Sequence, residues 1–420
     1  MRLNYKLLGK YIQPVNGRNN DLGDLPLVGL SIQKKFIPSI ANTIGTDMTT
    51  YRIIERNQFA FGPVTSRNGD KITIALFNDY DKALISQAYV PFEVKENNEL
   101  DPEYLMMWFR RPEFDRYARF KSHGSAREIF DWEEMCNTLL PVPNIDKQRE
   151  IVKEYNVIQN RIALNQQLIQ KLEETAQAIY REWFVYFEFP DENGKPYKSN
   201  GGEMVWCEEL EKEIPKGWNV GVLGDCIDFY NGYGFESEEL LNEKLEDCYS
   251  VFKMGNIKKG GGFNIDGTKS WIEKSKCVGL KRFVLQKGDL LMCMTDMKDN
   301  IGLLGNTALM TVDNEFIVNQ RVGLIRTSNE IGVSYRFLYL VTNSATFLQD
   351  LRSRANRGVQ VNLTTNEILS TRMILADFET NVKFDNILKV LFSKMDIASV
   401  DISISNKLLR LLLSKLATVE

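Results

Sequence analysis

His123 is the only imidazole in the chain, and no partner stands at a defined spacing from it that would make it an acid or a base. A surface role suits it better. The six cysteines (Cys136, Cys207, Cys226, Cys248, Cys277, Cys293) form no C-x-x-C pair, so metal-ligand spacing is missing and the thiols read as reduced structural groups. Pro190-Asp191-Glu192 with Lys195 has the residue types of a nuclease motif, but the Glu-to-Lys spacing is wrong and the segment reads as a loop. There is no Asn-Pro-Pro-Tyr or Asp-Pro-Pro-Tyr for amino methyl transfer, no G-x-G-x-x-G after a strand and no Walker loop. Gly260-Gly261-Gly262 after Lys258-Lys259 has the composition to cradle a phosphate, and equally that of a flexible basic loop.

What remains is binding chemistry. Residues 110–127 hold Arg110, Arg111, Arg116, Arg119, Lys121 and Arg127 against Glu113 and Asp115, and end in a polar turn with His123 and Ser125. Further on, Arg352, Arg354 and Arg357 run into a Gly358-Val-Gln360 turn. Guanidinium forks and amide side chains suit phosphates and base edges. Arg18, Arg67, Tyr233, Lys258 and Lys259 complete the candidate set. A solvated face is the plain alternative for any one of these charges.

Two long helices must position these groups. Ile145 to Phe187 follows Pro141-Val142-Pro143 and contains neither Pro nor Gly. Its heptad a positions are Ile151, Ile158, Asn165, Leu172 and Ile179; its d positions are Tyr155, Ile162, Ile169, Ala176 and Trp183. That pattern predicts a coiled-coil helix, with Asn165 as the polar residue that fixes register. Adding 233 gives Phe384, Leu391, Ala398, Ser405 and Leu412 at a, and Leu388, Met395, Ile402, Leu409 and Leu416 at d. The chain therefore carries its own partner helix.

The repeat extends further. The same offset pairs Ser86-Gln87 with Asn319-Gln320, Leu105 with Leu338 and Phe114 with Phe347. At the start of each copy the offset is 215, matching Leu8-Gly9, Ile12 and Asn16-Gly17 with Leu223-Gly224, Ile227 and Asn231-Gly232. A period this long is domain duplication rather than a solenoid. Predicted strands are Tyr51 to Ile54, Lys71 to Phe77 and Ala83 to Val94 in the first copy, then Asp289 to Thr295 and Phe316 to Arg326 in the second. Predicted helices run from Asp101 to about Phe120, with Asp at the cap and Pro in the first turn, and from Ser334 to about Ser353.

The resulting architecture is α+β. A first α/β-mixed domain spans 1–144, a helix 145–187, a join of turn-forming residues 188–217, a second mixed domain 218–376 and a second helix 377–420. The two halves share a pseudo-twofold relation, so their helices should pair antiparallel. Each half is long enough to bury a core. Both mixed domains are neutral, with 18 basic and 18 acidic residues each, and both helices are neutral, with 6 and 6. The join holds 4 basic and 8 acidic residues, so it accounts for the whole net charge of −4. An acidic pI thus does not exclude nucleic acid here. No apolar run opens the chain and none reaches 18 residues, which predicts a cytoplasmic protein without a membrane span.

With these features together, the chain resembles the specificity subunit of type I restriction–modification systems over nearly its whole length. Pro141-Val-Pro-Asn-Ile-Asp-Lys-Gln148-Arg-Glu-Ile151 resembles that family's Pro-rich approach to its central helix, with Lys147 where an acid is usual. Phe187 to Trp218 is similar to its link into a second domain, and Lys287-Gly288-Asp289-Leu290-Leu291 and Val318-Asn319-Gln320-Arg321-Val322 to its strand phrases. Leu375-Ala-Asp-Phe-Glu379 departs from the pattern, lacking Pro and Gln.

The resemblance implies a non-catalytic chain whose two target recognition domains each read half of a bipartite, asymmetric site in double-stranded DNA. It implies that the helices dock two methyltransferase subunits, which bring S-adenosylmethionine, and that restriction subunits join them. On this reading Ile151, Ile158, Ile162, Asn165, Ile169 and Leu172 face Leu391, Met395, Ile402, Leu409 and Leu412 in the helix pair. Lys121, His123, Ser125 and Arg127 would face one half-site, and Arg354, Arg357 and Gln360 the other. The rival readings are a coiled-coil scaffold that binds only proteins, and a methyltransferase or nuclease with an unrecognised site. Steep salt dependence of duplex binding separates the first reading from the scaffold.

If the helices hold two reading domains apart, their length sets the unread spacer. The seam is about 48 Å long, or about 14 base pairs. Four residues inserted after Glu150 add about 6 Å of rise. Methylation mapping of that variant should return both half-sites with a spacer one or two base pairs longer; an unchanged spacer at full activity refutes the ruler.

Overall fold

The computed structural model describes residues 5–20, 22–39, 45–66, 68–69, 71–124, 127–265, 267–297, 301–328, 333–357 and 360–419. The chain divides into two compact units, Met1–Asn165 with Val400–Glu420, and Gln166–Ser399. Each long helix thus contributes one part to each unit.

In unit 1, apolar and aromatic residues build a four-stranded antiparallel sheet in the order Ile12–Pro14, Val90–Val94, Phe59–Phe61, Ile74–Leu76. Phe59 stacks on Phe92 with ring centroids 4.9 Å apart, and Phe109 meets Phe59 edge-on at 5.8 Å. Such pairs add about 1 kcal/mol beyond the area they bury. Phe109 comes from helix Pro102–Phe109, whose residues from Tyr104 onward are all buried. A second sheet has the order Phe36–Pro38, Leu27–Leu30, Lys82–Ile85, Arg52–Glu55, with Leu27–Leu30 parallel to Lys82–Ile85.

Unit 2 repeats this plan. Its four-stranded sheet has the order Ile227–Asn231, Val322–Thr327, Leu290–Cys293, Thr307–Leu309. Cys248–Phe252 runs parallel to Phe316–Val318, as Leu27–Leu30 does to Lys82–Ile85. The repeat holds at the level of register. Ile12 faces Val94 and Ile227 faces Thr327; Tyr5 faces Pro141 and Val220 faces Ile374. Those partners obey both sequence offsets to the residue. Thirty-four residues separate Arg18 from Arg52, and fifty separate Tyr233 from Phe283, so most of the second copy's extra length lies in that interval.

Four predicted elements are divided. Ala83 to Val94 becomes Lys82–Ile85 and Val90–Val94, and Phe316 to Arg326 becomes Phe316–Val318 and Val322–Thr327. In each case a turn interrupts, at Ser86–Tyr89 and at Asn319–Arg321. The helix to Phe120 breaks before Pro112, which has no N–H to donate and disfavours the α conformation at Arg111. The helix to Ser353 breaks at Asn343-Ser344, where the Ser344 hydroxyl caps the next helix, Ala345–Arg354, by accepting from Phe347. The join is more ordered than its turn residues suggest. Met204–Cys207 pairs with Lys212–Pro215, and Phe189 stacks on Tyr197 and Trp218.

The long helices run Ile145–Phe184 and Phe378–Lys415. All twenty predicted seam residues are buried or half-buried. In unit 1 Ile151, Tyr155 and Ile162 are buried with Leu409 and Leu416, and Ile158, Ile402 and Leu412 pack against the same cluster. In unit 2 Trp183 and Phe184 meet Phe384 at 5.3 and 4.9 Å, with Leu388 buried beside them and Ile179, Leu391 and Met395 against the cluster. The early part of one helix faces the late part of the other, which is the antiparallel sense. Ile169 and Leu172 are half-buried. The amide of the polar seam residue Asn165 donates to Asp401 at 2.6 Å, and Arg161 clasps the same carboxylate at 2.6 and 2.7 Å. The Arg161 hydrogen bond holds the Asp401 carboxyl below its ordinary range. Whatever the clasp contributes is therefore present above the usual Asp range and is lost as pH falls through the lowered value.

Gln148 is fully buried where the first long helix begins. Its amide donates to the carbonyls of Glu99 and Pro143 at 2.9 and 2.8 Å, and its oxygen accepts from Asp101 N at 2.8 Å. One side chain thus joins the helix start to the cap of helix Pro102–Phe109. The second long helix lacks this glutamine and solves its start differently: Asp377 accepts from Thr380 N and Oγ1 at 2.9 and 2.7 Å. Burial pushes the Asp377 carboxyl up, but those bonds and one from the Trp218 side chain outweigh it and hold the carboxyl low. Gln148→Glu would turn a carboxylate oxygen toward two carbonyls in a dry site. It should destabilise the protein by about 2–4 kcal/mol in chemical denaturation at neutral pH, with relief as the pH falls.

Candidate nucleic-acid interface

In each unit three segments converge at one end of the four-stranded sheet. In unit 1 the first is Asn16–Asn20, which continues Ile12–Pro14; Val15 N donates to Pro91 O at 3.1 Å and Arg18 bridges to Arg52. The second is the turn Ser86–Tyr89, closed by Tyr89 N to Ser86 O at 3.1 Å, with Gln87 exposed. The third is a ladder in which Ile129 bridges both Val64 and His123. Unit 2 builds the same three pieces. Tyr233 follows Ile227–Asn231 and bridges to Asn319. The turn Asn319–Arg321 closes through Val322 N to Asn319 O at 3.0 Å. Thr295–Met297, Gln360–Asn362 and Asn356–Arg357 form a small sheet where unit 1 has bridges. Gly232 permits this convergence, because a Cβ there would lie 2.1 Å from Asn319 O.

The predicted basic residues do not behave alike. Lys121 and His123 approach the carboxylate of Glu134 at 3.3 and 3.7 Å, so the histidine has an acidic neighbour that no local spacing revealed. Arg119 pairs with Glu128 at 3.1 Å. Arg127 and Arg18 are exposed. Arg354 is committed to Asp350 at 3.0 Å, and Arg372 approaches the same carboxylate. Arg352 donates to the carbonyls of Leu304 and Gly302, so it supports a loop rather than facing solvent. Gln360 is exposed on its strand, and Tyr233 is 39% exposed. Arg67, Ser125, Gly358 and the Arg357 side chain lie outside the described residues.

Lys258 and Lys259 are exposed, but the glycines after them are not a phosphate cradle. Gly260 N donates to Asn306 Oδ1 at 3.3 Å, Gly261 N to Lys258 O at 3.0 Å and Gly262 N to Thr307 O at 2.9 Å. With every amide already engaged, none is left to point at an anion. The loop is seated on Asn343, which accepts from Thr307 N and donates to the Thr307 hydroxyl.

Sequence reasoning passed over Gln87, Gln320, Arg321 and Arg52. The signal was present, because Ser86-Gln87 and Asn319-Gln320 align at the repeat offset, but both pairs read as strand. Gln320 and Arg321 are exposed beside Tyr233, and Gln320 Oε1 sits 2.7 Å from the Cβ position of Gly234. Amide and guanidinium groups on turns at a sheet end have the reach and the donor–acceptor sets to address base edges.

Residues 21–174 match the family described as type I restriction modification DNA specificity domain. Over 144 residues the chain is 28% identical to the type I restriction enzyme MjaIX specificity subunit of Methanocaldococcus jannaschii, a match covering 34% of this chain and 31% of that one. Over 302 residues it is 23% identical to the MjaVIII specificity subunit of the same organism, covering 71% and 65%. These matches span less than two thirds of the length of either relative. The fold is similar to that of a type-I restriction-modification system S subunit from M. genitalium, with a TM-score of 0.50 and 15% identity over 99% of this chain and 98% of that one. Among the described residues no helix is long and apolar enough to cross a membrane.

The seat of the glycine loop gives a test. Gly261 has φ 103°, and a Cβ there would lie 2.5 Å from the Asn343 side chain. Gly261→Ala should destabilise the protein by roughly 1–3 kcal/mol, read as a lowered thermal midpoint. A variant as stable as the parent would mean that the loop is not seated as described.

Proposed function

We propose that the chain is a specificity subunit of the type I restriction–modification kind, in keeping with the match of residues 21–174 and with its relatives, and that its two units each read one half of a bipartite, asymmetric target in double-stranded DNA. The observation that carries this reading is the duplicated sheet end. One frame, repeated to the residue in register, presents different side chains in the two copies. Repetition suits two half-sites, and the differing side chains suit two different sequences. Arg18, Arg67, Lys121, His123, Ser125 and Arg127 serve the first half-site. Tyr233, Lys258, Lys259, Arg354, Arg357 and Gln360 serve the second, with Arg354 acting through its clasp on Asp350.

The chain carries no catalysis itself in this reading. It docks two methyltransferase subunits, which supply S-adenosylmethionine, and restriction subunits complete the cytoplasmic assembly. The outward faces of the long helices support docking. In unit 1 Val157, Leu164, Val400, Ile404, Leu408 and Leu411 are 47–65% exposed, and in unit 2 Leu168, Val390 and Ile397 are 45–68% exposed. Exposed apolar residues recurring at helical spacing mark a surface for another protein.

Binding of a target duplex by the chain with its methyltransferase subunits should weaken steeply with salt. Arg127→Ala and Lys259→Ala should each lower affinity for all sequences and reduce the log–log salt slope by about one. Salt-insensitive binding, or no binding, would favour a protein-only scaffold.

A further inference from the structure

Two equivalent places in the repeat carry opposite chemistry. In unit 1 Arg18 bridges to Arg52, the residue before the strand segment paired with Leu84. In unit 2 the corresponding residues are Tyr233 and Phe283, the latter directly before Val284, which bridges to Ile317. The unit 1 cleft has a volume of about 190 Å³ and is lined by Asn16, Gly17, Arg18, Asn20 and Arg52. No acidic residue lines it among the described residues. Arg18 and Arg52 pair through their backbones and both line this cleft, so it offers two guanidiniums to a ligand with several acceptors. In unit 2 the Tyr233 ring lies 5.0 Å from Phe235 and 5.6 Å from the buried Phe283, and Gln320 stands alongside.

We propose that these two equivalent places, the arginine-lined cleft and the tyrosine cluster, set the difference between the half-sites. Arg18 and Arg52 take the O6/N7 edge of a guanine in the major groove. Tyr233, backed by Phe235 and Phe283, packs on a thymine methyl, and Gln320 takes N6/N7 of the paired adenine. These are the pairings that the donor–acceptor patterns of the bases select. A phosphate fits less well. It offers acceptors only, whereas Asn16 and Asn20 also present acceptors, which suit the N4 amino group of the paired cytosine. Rings at the equivalent place in unit 2 would be wasted on a phosphate.

The inference rests on the DNA-reading function, and one experiment separates the two. Methylated bases are mapped in cells carrying the chain and its methyltransferase subunit. Arg18→Ala and Arg52→Ala should each relax one guanine position in one half-site, losing roughly 10- to 100-fold discrimination there, and leave the other half-site intact. Gln320→Ala should relax one adenine position in the other half-site. Arg18→Tyr and Tyr233→Arg alter exposed residues, so they keep the protein falsifiably folded by thermal unfolding; they should move the guanine preference out of one half-site and into the other. Uniform loss of methylation at every site would identify phosphate contacts and overturn the inference. An unchanged motif in all five variants would overturn it while leaving the DNA-reading function standing. Absence of sequence-dependent methylation with the unaltered chain would overturn both.

Discussion

Everything in this chain depends on an apolar seam that no single helix can bury. Forty residues of helix with a stripe of Ile, Leu, Tyr and Trp require a partner along their length. The chain supplies that partner 233 residues later, and each unit closes its core with a segment from each helix. Ile162 with Leu409 in unit 1, and Trp183 with Phe384 in unit 2, lie within clusters that continue into the sheet-bearing parts. The apolar contacts are permissive about register, since a shift of one heptad would still bury apolar groups. Asp401, beside the seam, is not permissive: it answers Arg161 and Asn165 together.

The sequence made the duplication legible because packing is periodic. Heptads and repeat offsets are arithmetic, and the observed registers at Ile12 and Ile227 follow them. It concealed the breaks. Ala83 to Val94 is apolar enough to read as one strand, and only backbone closure at Ser86–Tyr89 shows that it is two. Propensity scores each residue alone, whereas a turn is decided by where both flanking strands find partners. At Arg111-Pro112 the signal was local and available, since a proline in a helical pattern marks a boundary. At Asn343-Ser344 it was weaker, resting on a single capping serine.

Charge was the least legible property. A run of arginines and lysines suggests a cationic face, but partners arrive from distant parts of the chain. Glu134 reaches Lys121 and His123 from another helix, and Asp350 holds Arg354 one turn away while also meeting Arg372. The basic stretch of residues 110–127 is thus largely spent on structure, with Arg110 and Arg111 lying over Tyr155 and Trp108. Arg18 and Arg52 drew less notice because they are not clustered in sequence. They become neighbours only when the loop after Ile12–Pro14 is laid against the next sheet.

The frame and its cargo are under different physical demands. Gly232 must be glycine because a carbonyl occupies the space of its Cβ, and the turn at Asn319 must close because two strands of one sheet meet there. In the first copy Gly17 stands at the equivalent place, where a Cβ would lie 3.3 Å from Ile53 O, and the turn at Ser86 closes as the turn at Asn319 does. Nothing in the backbone requires an arginine at 18 or a tyrosine at 233: Arg18 is exposed, and Tyr233 packs on Phe235 and Phe283 through its side chain alone while staying 39% exposed. Positions that the fold leaves free, at a place that the fold fixes, are where a duplicated domain can acquire a second specificity without losing its first architecture. The different side chains at the two equivalent places are therefore what the symmetry of the two frames makes possible.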